Sequence, residues 1–196
     1  MGKIVVIEHL TLDGVMQAPG HPDEDRRDGF EHGGWASKRQ DPAMQELMGA
    51  RMSSAWSLLL GRTTYEQFAA YWPHQEPNPF TDALNRVQKY VASTTLTEPL
   101  PWQNSVLLEG DAAGAVADLR RALDENLVVF GSGVLVRSLL ARRLVDELVL
   151  MVHPTVLGTG RRLFAGSGIE SFDLTLAESA TTDSGVQLAV YQQAEG

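Results

Sequence analysis

The 196-residue chain contains no cysteine. That absence excludes disulfides, zinc ribbons, thiol nucleophiles and a cysteine-ligated zinc deaminase centre together. Long apolar runs are also missing. Nothing approaches the eighteen or so residues that a bilayer span needs, and Met1-Gly2-Lys3 followed by Ile4 to Ile7 is too short for a signal peptide. A cytoplasmic protein with no membrane partner is expected. Positive charge is scarce, with 16 Lys and Arg against 25 Asp and Glu and a net charge of −9. Such a surface repels nucleic acid and anionic lipid at long range, although an anionic small molecule could still bind at a local cluster of donors. The five histidines are scattered, without HExxH or paired ligand spacing, so no metal site is expected. The G-x-S-x-G elbow of hydrolases is absent as well.

What is present suits one globular domain over residues 1–196, with 43% hydrophobic and 21% charged residues. Lys3 to Glu8 is a short β-branched run and reads as a buried strand, as does Trp56 to Leu60. Further strands are expected at Lys89–Ala92, Ser105–Leu108, Leu127–Phe130, Glu147–His153, Phe172–Ala180 and Val186–Gln192. Val116, Leu119 and Leu123 have helical spacing, as do Val136, Leu139 and Leu140. Met44, Leu47 and Met48 mark another helix, with Asp41 as its cap and Pro42 in its first position. Strands alternating with helices, then mainly strands, give an α/β domain with a mixed sheet.

Gln17 to Gln40 has four glycines, two prolines, nine charged residues and no periodicity. A stretch of that length inside a compact domain reads as a lid or binding loop, with a solvated insertion as the alternative. Trp35, behind Gly33-Gly34, either closes over a ligand or anchors the loop.

Two turns look ready for an anion. Gly61-Arg62-Thr63-Thr64-Tyr65-Glu66 lies where a strand passes into a helix, so free backbone N–H groups, an arginine and two hydroxyls converge. A capping box between Thr63 and Glu66 would explain the same residues without a ligand. Gly131-Ser132-Gly133-Val134-Leu135 repeats the arrangement after the next strand, without the full G-x-G-x-x-G fingerprint. Ser93-Thr94-Thr95 is a third donor cluster.

These motifs occur in a recognisable order: Thr11-Leu12-Asp13-Gly14, Leu60 to Glu66, Val91 to Leu96, Val129 to Gly133, Leu144 to Leu148 and Pro154 to Phe164. The chain resembles the dihydrofolate reductase-like family, and within it the reductase half of bifunctional riboflavin-biosynthesis deaminase-reductases. The resemblance implies a central, mixed, mostly parallel sheet of about eight strands flanked by helices, with NADPH across the C-terminal strand edges. It implies that Gly61, Arg62, Thr63 and Thr64 meet NADPH phosphates, that Ser93 and Thr94 meet the ribose 2′-phosphate, and that Gly131, Ser132, Gly133, Val134 and Leu135 receive the pyrophosphate. Asp13 would serve beside the nicotinamide as acid or orienter, and Gly14, Trp35 and Arg161 would lie at the substrate end. The activity implied is NADPH-dependent reduction of a small polar heterocyclic or carbonyl compound, such as 5-amino-6-(5-phosphoribosylamino)uracil, by a homodimer. A pterin or dihydrofolate reductase and a non-catalytic nucleotide-binding module are the alternatives.

Overall fold

The computed structural model describes residues 2–166 and 168–194. Strand β1 (Ile4–Thr11) is buried at every position except His9. It owes this to parallel neighbours on both sides, β5 (Asn126–Phe130) and β6 (Glu147–His153). Beyond β5 lie β2 (Trp56–Gly61), β3 (Lys89–Ala92) and β4 (Ser105–Leu108), each parallel to its neighbour. Beyond β6, β8 (Gln187–Gln193) and then β7 (Leu174–Thr181) run antiparallel, giving the order β4-β3-β2-β5-β1-β6-β8-β7. This is the eight-stranded, mixed, mostly parallel sheet that the resemblance implies. β7 starts at Leu174, two residues later than the apolar run from Phe172 suggests.

Alternation along the strands makes two cores. Val5, Ile7, Leu58, Leu60, Val91 and Val149 pack against Met44 and Leu47 of α1 (Pro42–Arg51), Tyr65 of α2 (Arg62–Tyr71) and Leu84 of α3 (Pro79–Arg86). Ile4, Val6, Leu10, Leu59, Val129 and Leu148 pack against Val116 of α4 (Ala112–Ala122) and Leu135, Val136, Leu139 and Leu140 of α5 (Gly133–Ala141). Each such side chain contributes about 1.5–3 kcal/mol. Asp41 caps α1 as its sequence suggests, its carboxylate accepting from Ala43 N at 2.9 Å. α3 is absent from the sequence reading. It is started by Asn78, which accepts from Phe80 N and Thr81 N at 3.0 Å, ahead of Pro79.

A third, small core joins the 17–40 segment to Val15 and Leu157. Val15, Ala18, Phe30, Trp35 and Ala36 are all buried there. The Trp35 indole donates to Gln17 O at 2.7 Å, and Gln17 Nε2 donates to Asp25 O and Arg27 O. Gln67 Nε2 on α2 ties the segment down through Glu24 O at 2.6 Å. The segment is therefore a packed wall with its own core, not a solvated insertion.

Candidate functional site

β2 and β5 are adjacent, and Leu59 pairs with Val129 just before each strand turns into a helix. Gly61 is the N-cap of α2 and no side chain caps that helix. The capping box read from Thr63 and Glu66 does not form. The helix already begins at Arg62, which puts Thr63 inside the first turn, and Glu66 Oε2 pairs instead with Arg62 Nη1 at 3.0 Å. At the second turn Gly131 and Ser132 have φ of 55° and 58°, and Ser132 is an N-cap without a side-chain capping bond. The two turns are stitched together. Gly61 N–H donates to Ser132 Oγ at 3.0 Å, Ser132 N–H donates to Thr64 Oγ1 at 2.8 Å, and Ser132 Oγ donates to Phe130 O at 3.0 Å. A Cβ on Gly131 would come within 3.1 Å of Thr64 Oγ1, so the stitch requires glycine there twice over.

Both helix N-termini open onto one cleft of about 950 Å³ above the C-terminal strand edges. Gly61, Arg62, Thr63, Thr64, Ser93, Thr94 and Gly131 to Leu135 all line it. Ser93 Oγ accepts from Thr95 N and Leu96 N at 3.1 and 3.0 Å, so it folds its own turn. Five arginines, Arg27, Arg62, Arg137, Arg161 and Arg162, also line the cleft. Against the three acids that also line it, Glu8, Glu24 and Asp25, this is a local excess of positive side chains in a chain of net charge −9. The donor set, two uncapped helix starts with hydroxyls and guanidiniums around them, fits a pyrophosphate and a further phosphate. Phe68, Trp72, Phe80 and Phe130 form an apolar wall of tilted and edge-to-face rings, with centroids 5.3 to 6.5 Å apart.

Asp13 stands in the β1 exit turn. Its carboxylate accepts from Thr11 Oγ1 at 2.7 Å, Leu157 N at 3.2 Å, Gly158 N at 2.9 Å and Arg162 Nη2 at 3.2 Å. The Thr11 hydroxyl, then the two backbone donors and Arg162, hold it well below the usual carboxylate range against a smaller cost of burial. These donors favour the ionised carboxylate over the protonated acid. Asp13 organises the 157–162 loop. Gly14, at φ 78°, accepts from Leu163 N at 3.1 Å and lays that loop along the turn. Arg161 reaches the cleft and pairs with Asp28 at 2.6 Å. Trp35 is only 8% exposed and stands behind the wall, edge-on to His153 with centroids 5.3 Å apart, as the anchor of the loop.

Residues 3–188 match the family described as the RibD C-terminal domain. The chain belongs to that family. The uncharacterized protein YyaP of Bacillus subtilis (strain 168) is 27% identical over 140 residues, which cover 69% of this chain and 72% of YyaP. Three solved structures share the fold. A putative riboflavin biosynthesis protein from Shewanella sp. PV-4 has a TM-score of 0.74 and 24% identity, and the match covers all of both chains. A pyrimidine reductase-like protein from Corynebacterium diphtheriae has 0.67 and 11%, covering 100% of this chain and 93% of the other. Dihydrofolate reductase from Enterococcus faecalis, complexed with NADP(H) and RAB-propyl, has 0.62 and 14%, covering 99% and 98%. Membership of the RibD C-terminal domain family makes the chain an oxidoreductase of the riboflavin-biosynthesis type, and the three solved structures show the fold.

Three cleft residues of this RibD C-terminal domain escaped the sequence reading. Arg27 grips Asp25 with Nε at 2.8 Å and Nη2 at 2.5 Å and donates from Nη1 to Thr63 Oγ1 at 3.2 Å. Glu8 is 3% exposed, lines the cleft, and its Oε1 has no hydrogen-bond partner. Burial, with the Glu24 carboxyl adding to it, pushes the Glu8 carboxyl well above its ordinary range against a hydrogen bond from the Gly131 backbone. Glu24, also on the cleft, is itself raised, chiefly by burial. A signal for Glu8 exists in the sequence: it is an acid inside the run Ile4 to Leu10, where every other residue but His9 is apolar.

Proposed function

We propose that the protein is an NADPH-dependent reductase of a small, polar heterocyclic or carbonyl compound. The observation that carries this reading is the stitched pair of uncapped helix starts, at the ends of adjacent parallel strands, on an arginine-lined cleft. Residues 131–135 and the first turn of α2 would hold the pyrophosphate. Arg62, Thr63, Ser93 and Thr94 would hold the 2′-phosphate. When bound, the nicotinamide supplies hydride. The protein's own part is position and exclusion of water: the aromatic wall offers an apolar side to a ring, and the 17–40 wall closes the opposite side. The Arg62–Glu66 pair is half exposed, so little holds the guanidinium back from a phosphate.

Titrating NADPH and NADH into wild type and Arg62→Ala at one ionic strength tests the reading. NADPH should bind more tightly than NADH, and Arg62→Ala should weaken NADPH by about tenfold to a hundredfold, with a smaller effect on NADH. Equal small effects on both would remove the 2′-phosphate role. Oxidation of NADPH in the presence of pterins, aminouracil ribosides and small carbonyls then completes the test, and tight binding with no turnover across that panel would make the chain a nucleotide-binding module.

A further inference from the structure

Side chains alternate along β1, so Val6, Glu8 and Leu10 turn toward α4 and α5, where the Gly131 backbone bonds Glu8, while Val5, Ile7 and His9 turn the other way. Phe68, Trp72, Phe80 and Phe130 pack on that second face, and His9 lines the cleft there. His153, on the neighbouring strand β6, is fully buried and meets His9 Nδ1 through Nε2 at 2.9 Å. Val5, Ile7, Val149 and Met151 fill the same face with apolar side chains, whereas two imidazoles desolvate two rings for one hydrogen bond. Packing gives no reason for them. The two remaining nitrogens differ: His153 Nδ1 is buried without a partner, and His9 Nε2, also without one, is open to the cleft. Burial holds both rings neutral, pushing His9 down to about 3 and His153 to about 4, with the charge of His153 acting on His9 and that of Arg39 on His153. Each neutral ring carries one proton, and one proton lies between the two rings. If it belonged to His9, His153 would bear its own on Nδ1, a buried N–H with no acceptor, which folds avoid more strictly than an unused acceptor. The shared proton therefore belongs to His153 Nε2, His9 Nδ1 accepts it, and His9 Nε2 presents an N–H to the cleft.

We propose that His9 is the donor that holds the acceptor atom of the group to be reduced, and that His153 is a positioning residue that fixes its tautomer. This rests on the reductase reading of the cleft. Hydride from NADPH adds to the carbon of a C=O or C=N bond, the π electrons move to the heteroatom, and that atom takes its proton from water. His9 keeps its own proton throughout, because a neutral imidazole that gave it up would become an anion. Its part is to hydrogen-bond the charge that gathers on the heteroatom, as a neutral imidazole can do in a site that keeps it uncharged.

Two measurements test this without turnover. Nitrogen-15 NMR of the full chain labelled in histidine, at pH 7, should show both rings neutral with the proton on Nε2, His9 being assigned by its loss in His9→Gln and His153 by its loss in His153→Phe. In His153→Phe the His9 ring should become a mixture of tautomers. Pyridine N-oxide, a flat uncharged ring with one strong acceptor and no donor, should shift the His9 Nε2–H and bind His9→Leu about tenfold more weakly than wild type. His9→Gln, whose amide keeps a donor near the place of Nε2, should stay within about threefold, and toluene, which has no acceptor, should not distinguish the variants. With the most active compound among pterins, aminouracil ribosides and small carbonyls, His9→Leu should lower kcat by about a hundredfold at unchanged NADPH affinity, and His9→Gln should recover most of it. A proton on His9 Nδ1, a charged His9 ring at pH 7, failure of wild type to bind pyridine N-oxide, its equal affinity for wild type and His9→Leu, or full turnover in His9→Leu would each overturn the proposal. Absence of NADPH binding and of turnover, with the tautomers and the probe pattern intact, would instead remove the reductase reading and leave His9 as a donor site for a ring acceptor.

Discussion

Asp13 accepts from Thr11, Leu157, Gly158 and Arg162 at once, and each donor makes protonation harder. A residue in that state fixes a loop. Asp13→Asn keeps the shape but loses the charge and turns one acceptor into a donor that faces other donors. Turnover efficiency should fall by about tenfold while NADPH affinity stays within about twofold. The shape of the pH–rate profile should not change, and loss of a limb from that profile in the variant would return Asp13 to the role of acid. The place of Asp13 beside the 157–162 loop was legible in the Thr-Leu-Asp-Gly motif; its role was not, because that depends on donors from residues far along the chain. Asp41 is the opposite case. Its partner is two residues away, so the sequence alone suffices.

Element boundaries followed the same division between local and distant causes. Lys89–Ala92, Ser105–Leu108 and Glu147–His153 were readable because short β-branched or apolar runs are bounded by polar residues or proline. α3 was hidden because Glu76-Pro77-Asn78-Pro79 reads as a turn and the helix, Pro79 included, is only eight residues long. The 17–40 segment lacks periodicity since its order comes from Trp35, Phe30 and Gln17 meeting across the loop. Trp35→Ala should accordingly act locally. Hydrogen exchange should speed up across residues 17–40 while β1, β5 and β6 keep their protection. In wild type, saturating NADPH should add little protection to this segment. A large gain would restore the lid that its composition suggests.

At the scale of the whole molecule, acid sensitivity has a readable origin. His9 and His153 share a hydrogen bond of 2.9 Å, and burial pushes them down to about 3 and about 4, with their mutual charge or that of Arg39 adding to the effect. The unfolded chain takes up protons on both near pH 6.5, and the folded chain does so only near 3 to 4. The unfolded state thus binds more protons within that window, so stability is full above it and falls as pH drops from about 6.5 toward 4. Each histidine contributes at most about 1.4 kcal/mol per pH unit to that slope. Denaturant melts of His9→Asn across this range should show a shallower slope than wild type, and an unchanged slope would remove His9 as its origin, since a carboxylate held low, such as Glu147, acts only below its ordinary value of 4.5.

The class of sheet was legible from alternating strands and helices, whereas its order was not, since pairing of β1 with two distant strands leaves no mark on local sequence. That pairing bears on how the chain is made. Ile4 bonds into register with Leu127, and Val5 with Glu147. During synthesis the first strand must therefore wait, apolar, without its first partner until about two-thirds of the polypeptide has left the ribosome and without its second until about three-quarters has, and such long-range closure slows folding and exposes nascent chains to aggregation. Truncations ending before β6 should associate with chaperones or precipitate, and the cleft, whose floor is β1 and β5, can form only late in translation.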